Sequence, residues 1–235
     1  MNAQKVRPSG ERGRVSLGWL DSRHTFSFGH YYDPAWMGFG PLRVINEDRV
    51  QPGQGFQTHG HANMEILSFV LAGHLAHKDT LGTQIDLHAG DVQCMSAGAG
   101  IEHSEFNGSD TAPVHFLQVW IQPNQVNAAP RHAQRHFAPA APGEWVQIAS
   151  PDGARDSLAI RQDARVMRGT ATAAAPLRLA VSAGRKIWVQ VTDGHIDING
   201  QALQAGDGLG IDAQGGTLEI GSATQGDALV FDLPA

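Results

Sequence analysis

The sequence is poor in cysteine and in positive charge. Its single cysteine, Cys94, excludes an intramolecular disulfide framework. Seventeen Lys and Arg residues against 23 Asp and Glu give a formal net charge of -6, which argues against electrostatic binding to nucleic acid or to an anionic membrane surface. We therefore expect no direct nucleic-acid partner.

Long apolar runs are also missing. No stretch reaches the roughly 18 consecutive apolar residues that a membrane-spanning helix needs. The first residues, MNAQKVRPSGERGR, lack the apolar segment of a secretory signal peptide. We therefore expect a cytoplasmic protein without a membrane partner.

Glycine and proline are plentiful, with 28 Gly and 12 Pro, whereas only 17% of the residues are charged. Two stretches, QIDLH at 84–88 and VHFLQVWIQ at 114–122, alternate between apolar and polar residues. This period of two indicates half-buried β-strands. Since 235 residues with 41% hydrophobic content suffice for one large or two small cores, we predict a turn-rich, all-β protein.

Two pairs of candidate metal ligands share the same spacing. His59 and His61 are two residues apart, and in a strand both side chains leave the same face. His103 and Glu105 repeat this spacing, so two strands could supply three nitrogens and one oxygen to a divalent first-row metal. A lone histidine pair arises easily by chance in a chain with 12 His, so the surrounding residues have to decide.

Those surroundings favour a metal site. Gly53, His59, His61 and Glu65 match the first cupin motif, G(X)₅HXH(X)₃E. The stretch from Gly90 to Asn107, which contains His103, follows the second cupin motif apart from an extra Ala-Gly and a Ser in place of Pro. Two half-motifs in the correct order are far more specific than either alone.

The chain also repeats its own pattern. VLAGHL at 70–75 and LHAGD at 87–91 are echoed by VTDGHI at 191–196 and LQAGD at 203–207, which indicates a duplicated domain. In the second copy, Ala180 and Ser182 stand near the positions of the paired histidines, so we expect no metal cage there.

We divide the chain accordingly into three parts. Residues 1–130 form a metal-binding domain, and residues 151–235 form a degenerate copy without metal ligands. Residues 131–150, which are rich in Pro and Ala, are predicted to be a linker or crossover. The histidines outside the motifs are interpreted as solvated or structural on strands and turns (His74, His77, His88) or as surface residues (His132, His136).

With the half-motifs and the duplication established, the chain resembles the pirin family of bicupins. The resemblance rests on WLDSRHTFSFGHYYDP, MGFGPLRVINED, THGHANMEILSFVLAG and MSAGAGIEHSEFN, and covers nearly the whole chain. It implies two tandem cupin barrels, of which the first binds the metal through His59, His61, His103 and Glu105. Glu65 then lies outside the ligand set. Ala62 and Asn63 stand where relatives often have a basic residue and Asp or Gly, a difference that bears on substrate contacts.

The resemblance also implies a function, a quercetin 2,3-dioxygenase-type oxygenase that opens the central ring of a flavonol. Its partners would be a small aromatic substrate and O₂, and Glu105 would accept the proton of the substrate hydroxyl. Iron is the first expectation for the metal, with Zn, Mn, Co, Ni or Cu as alternatives. Two other functions stay open: a non-enzymatic, metal-sensing regulator that binds a protein partner, and a metal-dependent isomerase or lyase.

Overall fold

The computed structural model describes residues 4–235 and consists almost entirely of β-strands and their connections. Within that range the only helical elements are two short 3-10 turns, Ser9–Glu11 and Ala154–Asp156. None of the described residues belongs to a helix long and apolar enough to cross a membrane. The all-β prediction is confirmed.

The chain forms two compact units. The N-terminal unit comprises Gly13–Phe137 and Ile160–Gln162, and the C-terminal unit comprises Ala138–Ala159, Asp163–Ala235 and the described part of Met1–Arg12. The first described strand, β1 (Gln4–Arg7), thus belongs to the C-terminal unit and not to the N-terminal domain predicted for residues 1–130. Its backbone pairs with residues 208–211, and Val6 packs against the C-terminal core.

The N-terminal unit is a sandwich of two sheets. Its strands are β2 (Gly13–Ser16), β3 (Leu20–His24), β4 (Leu42–Val50), β5 (Gly55–His61), β6 (Glu65–Ala72), β7 (His74–Asp79), β8 (Gln84–His88), β9 (Asp91–Ser96), β10 (Ile101–Asn107), β11 (Val114–Ile121) and β12 (Arg131–His136). A seven-stranded sheet has the order β12-β9-β6-β11-β4-β3-β2, and a four-stranded sheet has the order β5-β10-β7-β8.

Apolar side chains from both sheets of this unit meet in a common core. Val70 and Phe116 of the larger sheet pack in one cluster with Leu75 and Leu87 of the smaller one. Because side chains alternate along a strand, the residues that share the inward face of β10 are spaced by two. The buried residues of β10 follow this alternation, and His103 and Glu105 are among them. The sandwich interior therefore receives polar groups as well as apolar ones.

The C-terminal unit contains β1 and seven further strands. These are β13 (Trp145–Ser150), β14 (Leu158–Ala159), β15 (Arg165–Thr172), β16 (Leu177–Ile198), β17 (Gln201–Gln204), β18 (Gly208–Ile220) and β19 (Gln225–Leu233). They form an eight-stranded sheet of order β1-β18-β16-β19-β15-β13-β14, with β17 paired to β16. Its core is aliphatic, with Ile187, Val189 and Val230 almost fully buried.

The predicted linker at 131–150 contains two strands. Strand β12 pairs with β9, and β13 pairs with β15. The connection between β12 and β13 is therefore shorter than the predicted linker and comprises residues 137–144. Strand β12 forms an edge of the larger sheet and is half-buried or exposed along its length. An edge strand of this kind needs no apolar alternation, which is why its polar sequence resembles a loop.

Equivalent hydrogen bonds confirm the duplication. The amide of Gly90 donates to the carbonyl of Val70 at 3.1 Å, and the amide of Gly206 donates to the carbonyl of Val191 at 3.0 Å. Both glycines have a positive φ, 91° for Gly90 and 88° for Gly206, a backbone conformation that residues other than glycine rarely adopt. The repeated Ala-Gly-Asp segments therefore form the same turn in both units.

Candidate metal centre

Strands β5 and β10 bring three histidines together. They pair antiparallel with His59 opposite His103 and His61 opposite Ile101. The ring centroids lie 4.5 Å apart for His59 and His103, 4.8 Å for His59 and His61, and 4.9 Å for His61 and His103. The sequence-predicted convergence of these three imidazoles is present in the structure.

Burial increases across this histidine cluster. His59 is exposed, His61 is half-buried, and His103 has only 1% of its surface exposed. Nε2 of His61 and Nε2 of His103 face each other at 3.0 Å. The cluster thus has one solvent-facing side and one buried side, as a centre that admits a small ligand requires.

The chemistry of the cluster fits a metal. Burial, reinforced by the neighbouring His59, lowers the pKa of His61 to about 4. Burial, followed by the proximity of His59 and His61, lowers the pKa of His103 to about 2. Both rings are therefore neutral near pH 7, the form in which imidazole offers a lone pair to a cation.

The tautomer of His59 is fixed as well. Its Nδ1 lies 2.7 Å from the carbonyl oxygen of Gln57, which can only accept a hydrogen bond. In the neutral ring Nδ1 therefore carries the proton, and Nε2 has the lone pair. A backbone carbonyl in this role is a common partner of metal-binding histidines.

Glu105 is buried and shares only His103 with the group of three convergent histidines. Its ligand atoms group with those of His77 and His103, within 4.8 Å of one another. One carboxylate oxygen accepts from Gln93 Nε2 at 2.7 Å, and the other accepts from Gln118 Nε2 at 2.6 Å. Burial raises the pKa of Glu105, although the neighbouring His77 and hydrogen bonds from side chains such as Ser68 oppose part of the rise. The carboxylate is thus held in a fixed position beside the histidine cluster.

Glu65, the other carboxylate of the cupin motifs, lies on a different face. Ser96 Oγ donates to it at 2.7 Å, whereas Ser68, three residues further along β6, contacts Glu105 at 3.1 Å. Residues three apart on a strand point to opposite faces. Glu65 is therefore separated from the histidine cluster by the sheet itself.

Two further histidines, His77 and His132, lie close to the histidine cluster, which the sequence did not indicate. His77 is 1% exposed, and its Nε2 lies 3.1 Å from Oδ2 of Asp79. His132, predicted on the surface, is half-buried and stacks on His77 with 4.9 Å between ring centroids. Burial lowers the pKa of His132 to about 4. The sequence signal for the inward direction of His77 is its spacing of two from the apolar Leu75, and the structure buries both residues.

Aromatic residues border the cluster on the side of β11. The indole of Trp120 meets the ring of His61 edge-on at 4.9 Å, and Phe28 meets Trp120 edge-on at 5.3 Å. Trp120 and Gln118 keep part of their surface exposed although their strand lies inside the larger sheet. Among the described residues, Trp120 Nε1 is a buried donor without a hydrogen-bond partner in the protein.

A cavity of about 480 Å³ also borders His61. It is lined by residues 60–62, by Thr80 and by residues 100–102. Gly60 and Glu102 alternate with the inward-facing histidines, so they line this cavity from the outer face of β5 and β10. The cavity reaches the cluster at its rim.

Comparisons with known proteins agree with this picture. The Pirin family matches residues 5–121, and the family described as quercetinase C-terminal cupin domain matches residues 147–233. Quercetin 2,3-dioxygenase of Escherichia coli K12 is 44% identical over 97% of this chain and 98% of its own. A pirin-like protein of Caulobacter vibrioides is 39% identical over 87% of this chain and 89% of its own. The crystal structure of bacterial pirin YhhW from Escherichia coli in complex with nickel(II) covers 99% of both chains, with 42% identity and a TM-score of 0.93.

Proposed function

Because this chain belongs to the pirin family, we propose that it is a metal-dependent dioxygenase that opens the central ring of a flavonol such as quercetin with O₂. The observation that carries the proposal is the convergence of three imidazoles, His59, His61 and His103, on one partly open point. The 44% identity to a quercetin 2,3-dioxygenase over almost the full chain supports the reaction type.

In this proposal His59, His61, His103 and Glu105 hold one divalent ion. The nickel complex of a relative supports a divalent metal, and we propose iron as the metal in the host cell. Bound to these four residues, the ion would act as a Lewis acid that lowers the pKa of the substrate hydroxyl. Small ligands would reach the ion from the solvent-facing side, where His59 is exposed.

The residues around the ion have separate tasks. Glu105 accepts the proton of the substrate hydroxyl, and Gln93 and Gln118 hold its carboxylate in place. Trp120 and Phe28 offer an aromatic wall beside His61, suited to a flat ring system. The unpartnered Nε1 of Trp120 is free to donate a hydrogen bond to a substrate oxygen.

The direct test of the proposal is oxygen uptake and carbon monoxide release with quercetin. The metal-free protein, prepared with a chelator, should be inactive and should regain activity when Fe²⁺ or Ni²⁺ is added. A protein that binds metal but consumes no O₂ with any flavonol would favour the non-enzymatic regulator instead.

We expect Trp120→Phe to lower kcat/KM for quercetin by roughly 5- to 13-fold, since a hydrogen bond to substrate typically contributes about 1–1.5 kcal/mol. Phenylalanine keeps an aromatic ring beside His61 but has no N–H. Because the indole N–H has no partner in the protein, no hydrogen bond is lost in the metal-free form, and any change in its stability reflects the smaller ring alone. Steady-state kinetics and thermal unfolding measure the two effects.

Trp19→Phe is the matched control for this change. Trp19 meets Phe56 edge-on at 5.4 Å, and both rings are partly buried against the apolar core of the same unit. Its replacement should affect stability and leave kcat/KM unchanged. If Trp120→Phe and Trp19→Phe have the same kinetic constants as the parent protein, Trp120 does not contact the substrate.

A further inference from the structure

A chain of buried polar groups runs away from the histidine cluster behind His103. Nδ1 of His103 lies 3.5 Å from Nδ1 of His77, and Nε2 of His77 lies 3.1 Å from Oδ2 of Asp79. The exposed fractions are 1% for His103, 1% for His77 and 7% for Asp79. This chain of three side chains is isolated from bulk water along its whole length.

The far end of the chain is fixed by the backbone. Oδ1 of Asp79 accepts from the amides of Leu81 at 2.9 Å and of Thr83 at 3.0 Å. Burial alone would raise the pKa of Asp79, but the hydrogen bonds from His77, Thr83 and Leu81 outweigh it and lower the pKa. The carboxylate is therefore ionised near neutral pH and can only accept hydrogen bonds.

The direction of each hydrogen bond follows from this acceptor. Nε2 of His77 must donate to Asp79, so in the neutral ring Nδ1 of His77 accepts. Nδ1 of His103 must then be the donor, and its proton leaves Nε2 of His103 with a lone pair. That Nε2 faces Nε2 of His61 at 3.0 Å, inside the proposed metal site.

We propose that His77 and Asp79 are positioning residues that hold His103 in its Nδ1-protonated tautomer, with Nε2 ready to bind the metal. His132 stacks on His77 with rings 30° apart and centroids 4.9 Å apart, which restricts rotation of the intermediate ring. The inference rests on the proposed metal site, but the tautomer it assigns is a property of the metal-free protein. Carboxylate partners that orient metal-binding histidines usually act directly, whereas here a second imidazole stands between them.

The variant Asp79→Asn should reverse the donor and acceptor of each hydrogen bond from residue 79 to His103, because asparagine has nearly the same shape as aspartate. The amides of Leu81 and Thr83 both need an acceptor, so the side-chain oxygen of asparagine should remain with them. The NH₂ group then faces Nε2 of His77, which is forced to accept. Nδ1 of His77 becomes the donor, and His103 is driven to carry its proton on Nε2, the tautomer that cannot bind the metal. An Asp-to-Asn exchange beside a catalytic histidine is known to impose the wrong tautomer in this way.

The variant Asp86→Asn is a matched control, because Asp86 also pairs with a histidine. Asp86 pairs with His74 at 3.0 Å between neighbouring strands of the same sheet, but its side chain is 63% exposed, and neither residue belongs to a group of convergent ligand atoms among the described residues. Both variants therefore remove one carboxylate from a histidine–aspartate pair. Only Asp79→Asn should affect the metal site.

Two measurements test the inference. In metal-free protein labelled with ¹⁵N-histidine, NMR should show His103 protonated on Nδ1 in the parent and in Asp86→Asn, and on Nε2 in Asp79→Asn. Calorimetric titration with Ni²⁺ should show affinity reduced roughly 10- to 100-fold in Asp79→Asn alone, the usual effect of losing such a partner.

The outcomes separate this inference from the proposed function. A parent protein with His103 protonated on Nε2, or an Asp79→Asn variant with unchanged tautomer and Ni²⁺ affinity, overturns the inference. The parent spectrum decides the matter even if the variant fails to fold. If the tautomer switches as expected but the parent binds no Ni²⁺, the positioning chain stands and the metal site of the proposed function is wrong.

Discussion

Replacing His103 with alanine is expected to lower the affinity for a divalent metal by at least roughly 100-fold, because even the partners of a ligand typically contribute 10- to 100-fold. His103 is the most buried of the three convergent histidines and lies within 5 Å, centroid to centroid, of both others. Its loss leaves His59 and His61 as an adjacent pair on one strand, without a nitrogen from β10. Metal content after equilibration with Ni²⁺, measured by elemental analysis, reports the effect.

The fold should survive this change, because the sandwich is held by apolar side chains such as Val70, Leu87 and Phe116. His59→Ala and His61→Ala should lower metal content in the same direction. His195→Ala is the control, since His195 is exposed in the C-terminal unit and belongs to neither group of convergent ligand atoms among the described residues. A His103→Ala protein with full metal content would refute the proposed centre.

Glu105→Gln is expected to lower turnover of quercetin by roughly 10²- to 10⁴-fold, the usual contribution of a positioned general base. Glutamine keeps a carbonyl oxygen that can reach the metal but cannot accept a proton near neutral pH. Its NH₂ group would also meet the donating amides of Gln93 and Gln118, so those side chains must reorient. Oxygen uptake per bound metal separates the loss of the base from the loss of the ion.

Glu65→Gln is the control that separates the loss of the general base from the loss of any buried carboxylate. Glu65 is as buried as Glu105, with 1% against 2% of its surface exposed, but its partner is Ser96 on the opposite face of the sheet. Its replacement should reduce stability by breaking a buried hydrogen bond and leave turnover per metal nearly unchanged. If Glu65→Gln abolished turnover while Glu105→Gln remained active, the base would have to be reassigned.

Much of the candidate centre could be predicted from local sequence, because the period of a strand is fixed. The spacing of His59 and His61 sufficed to place both imidazoles on one face of β5, and the same spacing placed His103 and Glu105 together on β10. The repeat of the Ala-Gly-Asp turn likewise indicated the duplicated fold. These inferences need only a few neighbouring residues.

The contribution of His77 and Asp79 could not be predicted in this way. Alternation shows that they share a face of β7, but only the pairing of His77 with Glu105 and of Asp79 with His103 shows what that face contacts. Pairing between strands depends on the whole topology. The sheet edge at β12 was missed for a related reason, since its backbone pairing to β9 compensates for a polar sequence.

The position of β1 has a consequence for synthesis on the ribosome. The amide of Ser9 donates to Asp207, 198 residues further along the chain, and Gln4 pairs with Ile211. Strand β1 therefore leaves the ribosome long before its partner β18, and the strands of the N-terminal unit lie between the two in sequence. Closing so long a loop is slow. The N-terminal unit should thus fold on the nascent chain first, and a change that disrupts the pairing of β1 should disturb the C-terminal unit more than the histidine cluster.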